Sequence, residues 1–245
     1  YMLNDVPHGK VQYCNVYSEV LNMWRPVLVY TPAGYETSDE KYPVFYLVSG
    51  TTDTEETWFK VGKTNVILDN LIAQGKAEKM IVVMPYGYMM KGTSMPTSLA
   101  AAEMYAEFAK ELTTTIMPYV EKEFRTINDR DHRAIAGFSR GGGQSLFTAL
   151  SNLDKFAYIG TFSGAIFGVD LKTYANGVFT NASDFNSKVK YFFMGMGTEE
   201  NFGADKMTSN LKEMGINVTY FPSQGTHHEW LTWRRCFAEF VQHIF

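Results

Sequence analysis

His132-Arg133-Ala134-Ile135-Ala136-Gly137-Phe138-Ser139-Arg140-Gly141-Gly142 is the stretch on which the fold turns. Its first five residues end in an apolar run suited to a buried strand. Gln144-Ser145-Leu146-Phe147-Thr148-Ala149-Leu150, just beyond it, reads as the start of a helix. Between them lies a G-x-S-x-G pattern, Gly137 to Gly141, which presents a serine hydroxyl on a sharp strand-to-helix turn. Such a turn needs small neighbours so that backbone and helix approach closely, and Gly137, Gly141 and Gly142 supply them. Ser139 is therefore the candidate nucleophile.

Outward from this turn the chain alternates in the manner of a wound α/β sheet. Two strands are expected first, over Val11–Tyr17 and Arg25–Tyr30, with Asn22 near their connection, and Thr31-Pro32-Ala33-Gly34-Tyr35 breaks into a turn. Pro43-Val44-Phe45-Tyr46-Leu47-Val48 is a continuous apolar run, the mark of a strand buried on both faces. A helix near Asn65–Gln74 leads to a strand over Met80–Met84. A long helix follows near Ser98–Phe124, interrupted by Pro118. After the Ser139 turn come strands near Phe156–Phe162, Val189–Met194 and Asn217–Phe221. A helix over Asp205–Met214 ends at Gly215, and a last helix spans about Glu229–Ile244. The Gly-, Asn- and Ser-rich segment 163–187 reads as an insertion or lid over the sheet. The expectation is one α/β domain over 1–245, a doubly wound, mostly parallel sheet with helices on both faces. Its function belongs at the carboxyl ends of the strands.

Composition narrows the chemistry. The 245 residues suit a domain with a substantial core, and 45% hydrophobic content excludes a disordered chain. With 22 basic and 26 acidic residues the net charge is −4, and no basic run is present to hold a nucleic-acid backbone. No apolar stretch approaches the ~20 residues that span a bilayer. A chain that opens on Tyr1 reads as a fragment from which a signal peptide or an upstream domain has been removed. Cys14 and Cys236 are either a pair joining the first strand to the last helix or, as isolated cysteines more often are, buried thiols. They have no metal-ligand spacing, and neither a metal nor a cofactor is expected.

A serine hydroxyl needs a general base, and the base needs an orienting acid. Of the five histidines, His8 lies in the amino-terminal arm and His243 on the last helix. His132 enters the strand of Ser139 at the far end of the sheet. Gly225-Thr226-His227-His228-Glu229-Trp230, a loop after a strand, shares the rim of the serine turn. The acid is expected after the strand ending at Met194, where Gly195-Met196-Gly197-Thr198-Glu199-Glu200-Asn201 offers Glu199 and Glu200. Asp205 lies further on, in a helix.

These residues carry a resemblance. Asp5-Val6-Pro7-His8-Gly9, Val29–Tyr35, Tyr42–Leu47, Asn65–Ile72, the Gly137–Gly142 turn and His228-Glu229-Trp230-Leu231-Thr232-Trp233-Arg234 together resemble the esterase D-like branch of the α/β-hydrolases. Within it the chain is most similar to the feruloyl and acetyl-xylan esterases of carbohydrate esterase family 1. The resemblance implies an α/β-hydrolase fold with the triad order Ser, acid, His. It implies His228 as base, because the family histidine is followed by an acidic or polar residue, then Trp, and later Trp-Arg. It implies Glu200 as acid, where the family usually has aspartate, and backbone N–H groups of Arg140 and the Thr51 region as oxyanion hole. The family commonly has His-Gly where this chain has Ser49-Gly50.

Trp230 and Thr52 are expected to border the substrate, with Phe162, Phe167, Tyr86, Tyr88 and Met89 as comparable candidates. The side chain of Arg140 is expected to meet either a polar part of the substrate or a nearby carboxylate. The implied activity is hydrolysis of plant cell-wall polysaccharide esters, releasing ferulate from feruloylated arabinoxylan, by a secreted or periplasmic protein. Acetyl-xylan esterase, S-formylglutathione hydrolase and mycolyltransferase are the alternatives within the fold. A non-catalytic carbohydrate-binding relative is the alternative outside enzymes.

Overall fold

A computed structural model describes residues 1–89, 98–164 and 170–245. An eight-stranded sheet, ordered β1-β2-β4-β3-β5-β6-β7-β8, forms its centre. The strands are β1 (Lys10–Ser18), β2 (Met23–Thr31), β3 (Val44–Val48), β4 (Ile81–Pro85), β5 (Arg133–Gly137), β6 (Tyr158–Phe162), β7 (Tyr191–Gly197) and β8 (Thr219–Ser223). β1 pairs antiparallel with β2, and β2 with β4. From β4 onward every pairing is parallel, so the carboxyl ends of β3 to β8 share one rim. Parallel pairing requires crossovers. The described helices that supply or flank them are α1 (Thr57–Lys60), α2 (Thr64–Ala73), α3 (Ser98–Glu111), α4 (Met117–Glu123), α5 (Arg140–Leu150), α6 (Tyr174–Gly177), α7 (Ala182–Lys188), α8 (Ala204–Glu213) and α9 (Trp230–Phe240).

The apolar runs are continuous because both faces of the sheet are covered. Val44, Tyr46, Val48, Val83 and Ile135 enter a core shared with Phe108, Leu112, Leu146 and Leu211 of the helices on one face. The alternate residues Phe45, Leu47, Val82 and Ala136 enter a second core with Leu68, Phe237 and Phe240 on the other. Cys14 borders the first core and Cys236 lies in the second, on opposite sides of the sheet. Both are free, so the pairing contemplated from the sequence does not form.

The expected long helix is two helices joined by a wide turn over Leu112–Ile116, in which Thr113 and Thr114 hydroxyls donate to the carbonyls of Ala109 and Lys110 at 2.8 Å each. Helical dihedrals continue through Ile116 and Met117, and the Met117 N–H donates to the Leu112 carbonyl. The chain thus stays helical past Pro118 to Glu123, and the wide turn before it accommodates the N–H that proline lacks. In the segment read as a lid, Phe179 and Phe185 are buried and pack against Phe192 of β7. Phe167 lies outside the described residues.

Candidate active site

The serine turn forms because its glycines leave no room for side chains. A Cβ on Gly141 would lie 2.4 Å from the Ser49 carbonyl oxygen, and one on Gly137 would lie 2.6 Å from the Gly141 backbone. α5 begins at Arg140, one residue after the serine and earlier than the apolar pattern suggests. Ser139 has φ 53° and ψ −124°, a left-handed conformation that non-glycine residues rarely adopt and that marks a site where the surroundings hold strain. Its N–H donates to the Phe162 carbonyl at 3.0 Å, which ties the turn to the end of β6.

The His228 ring lies on the loop after β8, with Nε2 3.0 Å from Ser139 Oγ and Nδ1 2.8 Å from Glu200 Oε2. Phe202 tilts over the ring at 4.4 Å between centroids, and Trp233 meets it edge-on at 5.1 Å. Glu200, on the loop after β7, is almost wholly buried, its side chain 1% exposed. Its Oε1 accepts from Ser163 Oγ at 2.7 Å and from the Gly197 N–H at 2.8 Å. Burial pushes the Glu200 carboxyl upward, but hydrogen bonds from His228, Ser163 and Gly197 outweigh it. The group therefore stays ionised to lower pH than an ordinary glutamate.

The arrangement discriminates among the candidates. His227 is exposed, its N–H donating to Glu229 at 3.2 Å. Glu199 is exposed on the loop and Asp205 on the first turn of α8. His132 pairs with Asp129 at the amino end of β5. Ser139, His228 and Glu200 are brought into one hydrogen-bonded line.

The Arg140 N–H is the first of α5, among the amides that a helix start leaves without an intrahelical partner. Its side chain is buried and donates to the Gly50 carbonyl at 2.6 Å, with the guanidinium over the Tyr88 ring at 5.2 Å. Burial lowers its proton affinity, and among the described residues no carboxylate lies within ion-pair distance of it. The carbonyl is taken instead because the guanidinium is aimed at the turn after β3. Thr51 and Thr52 follow Gly50 on that turn, Thr51 half-buried and Thr52 exposed. Ser49 is buried with its hydroxyl unpaired among the described residues.

Trp230 is half-buried and packs edge-on against Trp58, Phe138 and Trp233 at 4.9 to 5.2 Å. Phe162, expected at a pocket border, is fully buried against Trp58, Phe193 and Phe240, because its strand is covered on that face. Tyr86 and Tyr88 stack on each other at 6.3 Å, half-exposed on the rim, while Met89 is buried beside Arg25. Sequence reasoning missed Ser163 and gave Trp233 no task. The available signal was the position of Ser163 directly after a strand of the same rim. Among the described residues no three His, Cys, Asp or Glu side chains are grouped to hold a metal, and no helix is long and apolar enough to cross a membrane.

A family model described as putative esterase matches residues 18–244. The chain is 36% identical over 246 residues to an endo-1,4-beta-xylanase/feruloyl esterase of Xylanibacter ruminicola, covering 98% of this chain and 32% of that protein. It is 32% identical over 155 residues to endo-1,4-beta-xylanase Y of Acetivibrio thermocellus, covering 59% of this chain and 13% of that one. The chain thus spans about a third or less of the length of these relatives. A CE1 ferulic acid esterase from Anaeromyces mucronatus, solved with ferulic acid, matches with a TM-score of 0.85 at 26% identity, covering 100% of this chain and 94% of that one.

Proposed function

The chain belongs to the esterase family, with the α/β-hydrolase fold, and we propose that it releases ferulate from feruloylated arabinoxylan through a serine acyl-enzyme. The observation that carries this reading is the line from Ser139 Oγ through His228 to Glu200, at 3.0 and 2.8 Å. The relatives carrying feruloyl esterase in their names support the acyl group. A polysaccharide substrate of this kind goes with a secreted or periplasmic protein.

With Nδ1–H donated to Glu200, the other ring nitrogen of His228 is free to accept the Ser139 proton. The serine oxygen bonds to the ester carbonyl carbon, and the carbonyl oxygen takes the negative charge against the N–H groups of Arg140 and Thr51. Loss of one such donor costs about 3–4 kcal/mol in barrier. The bond to the sugar oxygen then breaks, and His228 returns the proton to that oxygen. Water attacks the feruloyl-serine, His228 takes its proton, and ferulate leaves as Ser139 recovers its hydroxyl. Glu200 keeps the imidazole oriented and steadies its charged form throughout. Thr52 and Trp230 border the bound ester.

Hydrolysis of methyl ferulate and 4-nitrophenyl acetate by the purified chain tests the reading. Ser139→Ala is expected to lower kcat by at least about 10³-fold with the fold intact. Equal rates for the two proteins would falsify the serine mechanism.

A further inference from the structure

Two serines at the ends of neighbouring strands hold left-handed backbone: Ser139 after β5, at φ 53°, and Ser163 after β6, at φ 50°. Strain of this kind persists where surrounding contacts over-determine a residue, and it gathers at working sites. The first serine begins the hydrogen-bonded line described above, and the second touches its far end. Ser163 is fully buried, and its N–H donates to the Gly195 carbonyl of β7 at 2.7 Å. Its hydroxyl donates to Glu200 Oε1 at 2.7 Å and accepts from the Trp233 indole N–H at 3.2 Å.

The direction of that hydroxyl follows from the chemistry of its partners. An indole N–H is a donor only, and an ionised carboxylate is an acceptor only. The single Ser163 proton must therefore point at Glu200, with the oxygen turned towards Trp233. Trp233 is itself held by stacking on Phe138 at 4.0 Å and 21° between ring planes. The acid here is a glutamate, one methylene longer than aspartate, and so has one more torsion to be fixed. Ser163 and the Gly197 N–H grip one carboxylate oxygen while the other serves His228.

We propose that Ser163, oriented by Trp233, is a positioning residue that locks the Glu200 carboxylate in the rotamer that serves His228. The proposal rests on the reading of Ser139, His228 and Glu200 as the working triad. A glycine adopts φ 50° without strain, so Ser163→Gly removes the hydroxyl while leaving the backbone at ease. For methyl ferulate its kcat is expected to fall about 10- to 100-fold, the range seen when an outer partner of a site ligand is lost, with KM within about twofold. Ser163→Ala should behave alike, and Trp233→Phe should lower kcat less.

The deciding measurement is a cycle with Glu200→Ala, read by single turnover at excess enzyme. If Ser163 acts through Glu200, Ser163→Gly changes the rate of the Glu200→Ala protein by less than about twofold. A merely structural serine lowers both backgrounds by the same factor. Wild-type kcat in Ser163→Gly, or an equal loss in both backgrounds, overturns the proposal. Failure of the underlying reading has a separate signature, because Ser139→Ala or Glu200→Ala then turns over at the wild-type rate.

Discussion

Glu200 and Glu199 are adjacent and chemically identical, yet one is 1% exposed in its side chain and hydrogen-bonded to His228 while the other faces solvent. The difference arises from which side of the loop after β7 faces the rim. Residue type does not separate the two, and in the sequence only the register of the family resemblance pointed to Glu200. The ionised state of Glu200 has a consequence for stability. Its folded-state carboxyl lies below the ordinary glutamate value of 4.5, so its contribution is fully present above that pH. It disappears as pH falls through the folded value. Denaturant unfolding of the wild type and Glu200→Gln is therefore expected to show its widest stability gap above about pH 5, narrowing towards pH 3. A gap that grows on acidification contradicts the assignment.

At the scale of elements, the turn between β5 and α5 was the most legible feature, because its requirements are local. A short strand, a serine and a first helical turn rich in glycine, Gly141 to Gly143, are all visible in the residues. The consequence of crowding is equally local. In Gly141→Ala the new methyl meets the Ser49 carbonyl oxygen at 2.4 Å and that of Val48 at 2.5 Å, backbone atoms that cannot move aside cheaply. Overpacking of this kind costs about 1–3 kcal/mol and occasionally more. The variant is expected to show a lower Tm together with a reduced kcat, since the clash lies between the turn after β3 and the helix that follows Ser139. A Tm equal to the wild type sinks this account. The long helix was less legible, because apolar spacing does not distinguish an uninterrupted helix from two joined by a wide turn. The hydroxyl bonds of Thr113 and Thr114 to preceding carbonyls accompany that turn.

Across the whole molecule, the sheet separates two cores, and this separation decides the fate of the cysteines. Cys236 is completely buried beside Gly195, and burial pushes its thiol well above the usual range, whereas Cys14 is partly exposed on the opposite face. Thiol titration of the native protein with an aromatic disulfide reagent should modify Cys14 and leave Cys236 untouched until unfolding. Reductant should leave Tm unchanged, and a drop in Tm would reveal a disulfide. The sequence by itself determined the order of strands and helices along the chain, the serine turn, and the loop that holds His228. Apolar runs, glycines and chain order encode these within a few residues of each position. Only the tertiary structure showed Glu200 buried against His228 with Glu199 left in solvent, turned Arg140 to a carbonyl instead of a carboxylate, sank Phe162 into the core, and joined Trp233 through Ser163 to Glu200. Each of these depends on which loops meet at the rim of β3 to β8, a matter of parallel crossovers that brings together residues 28 to 90 positions apart.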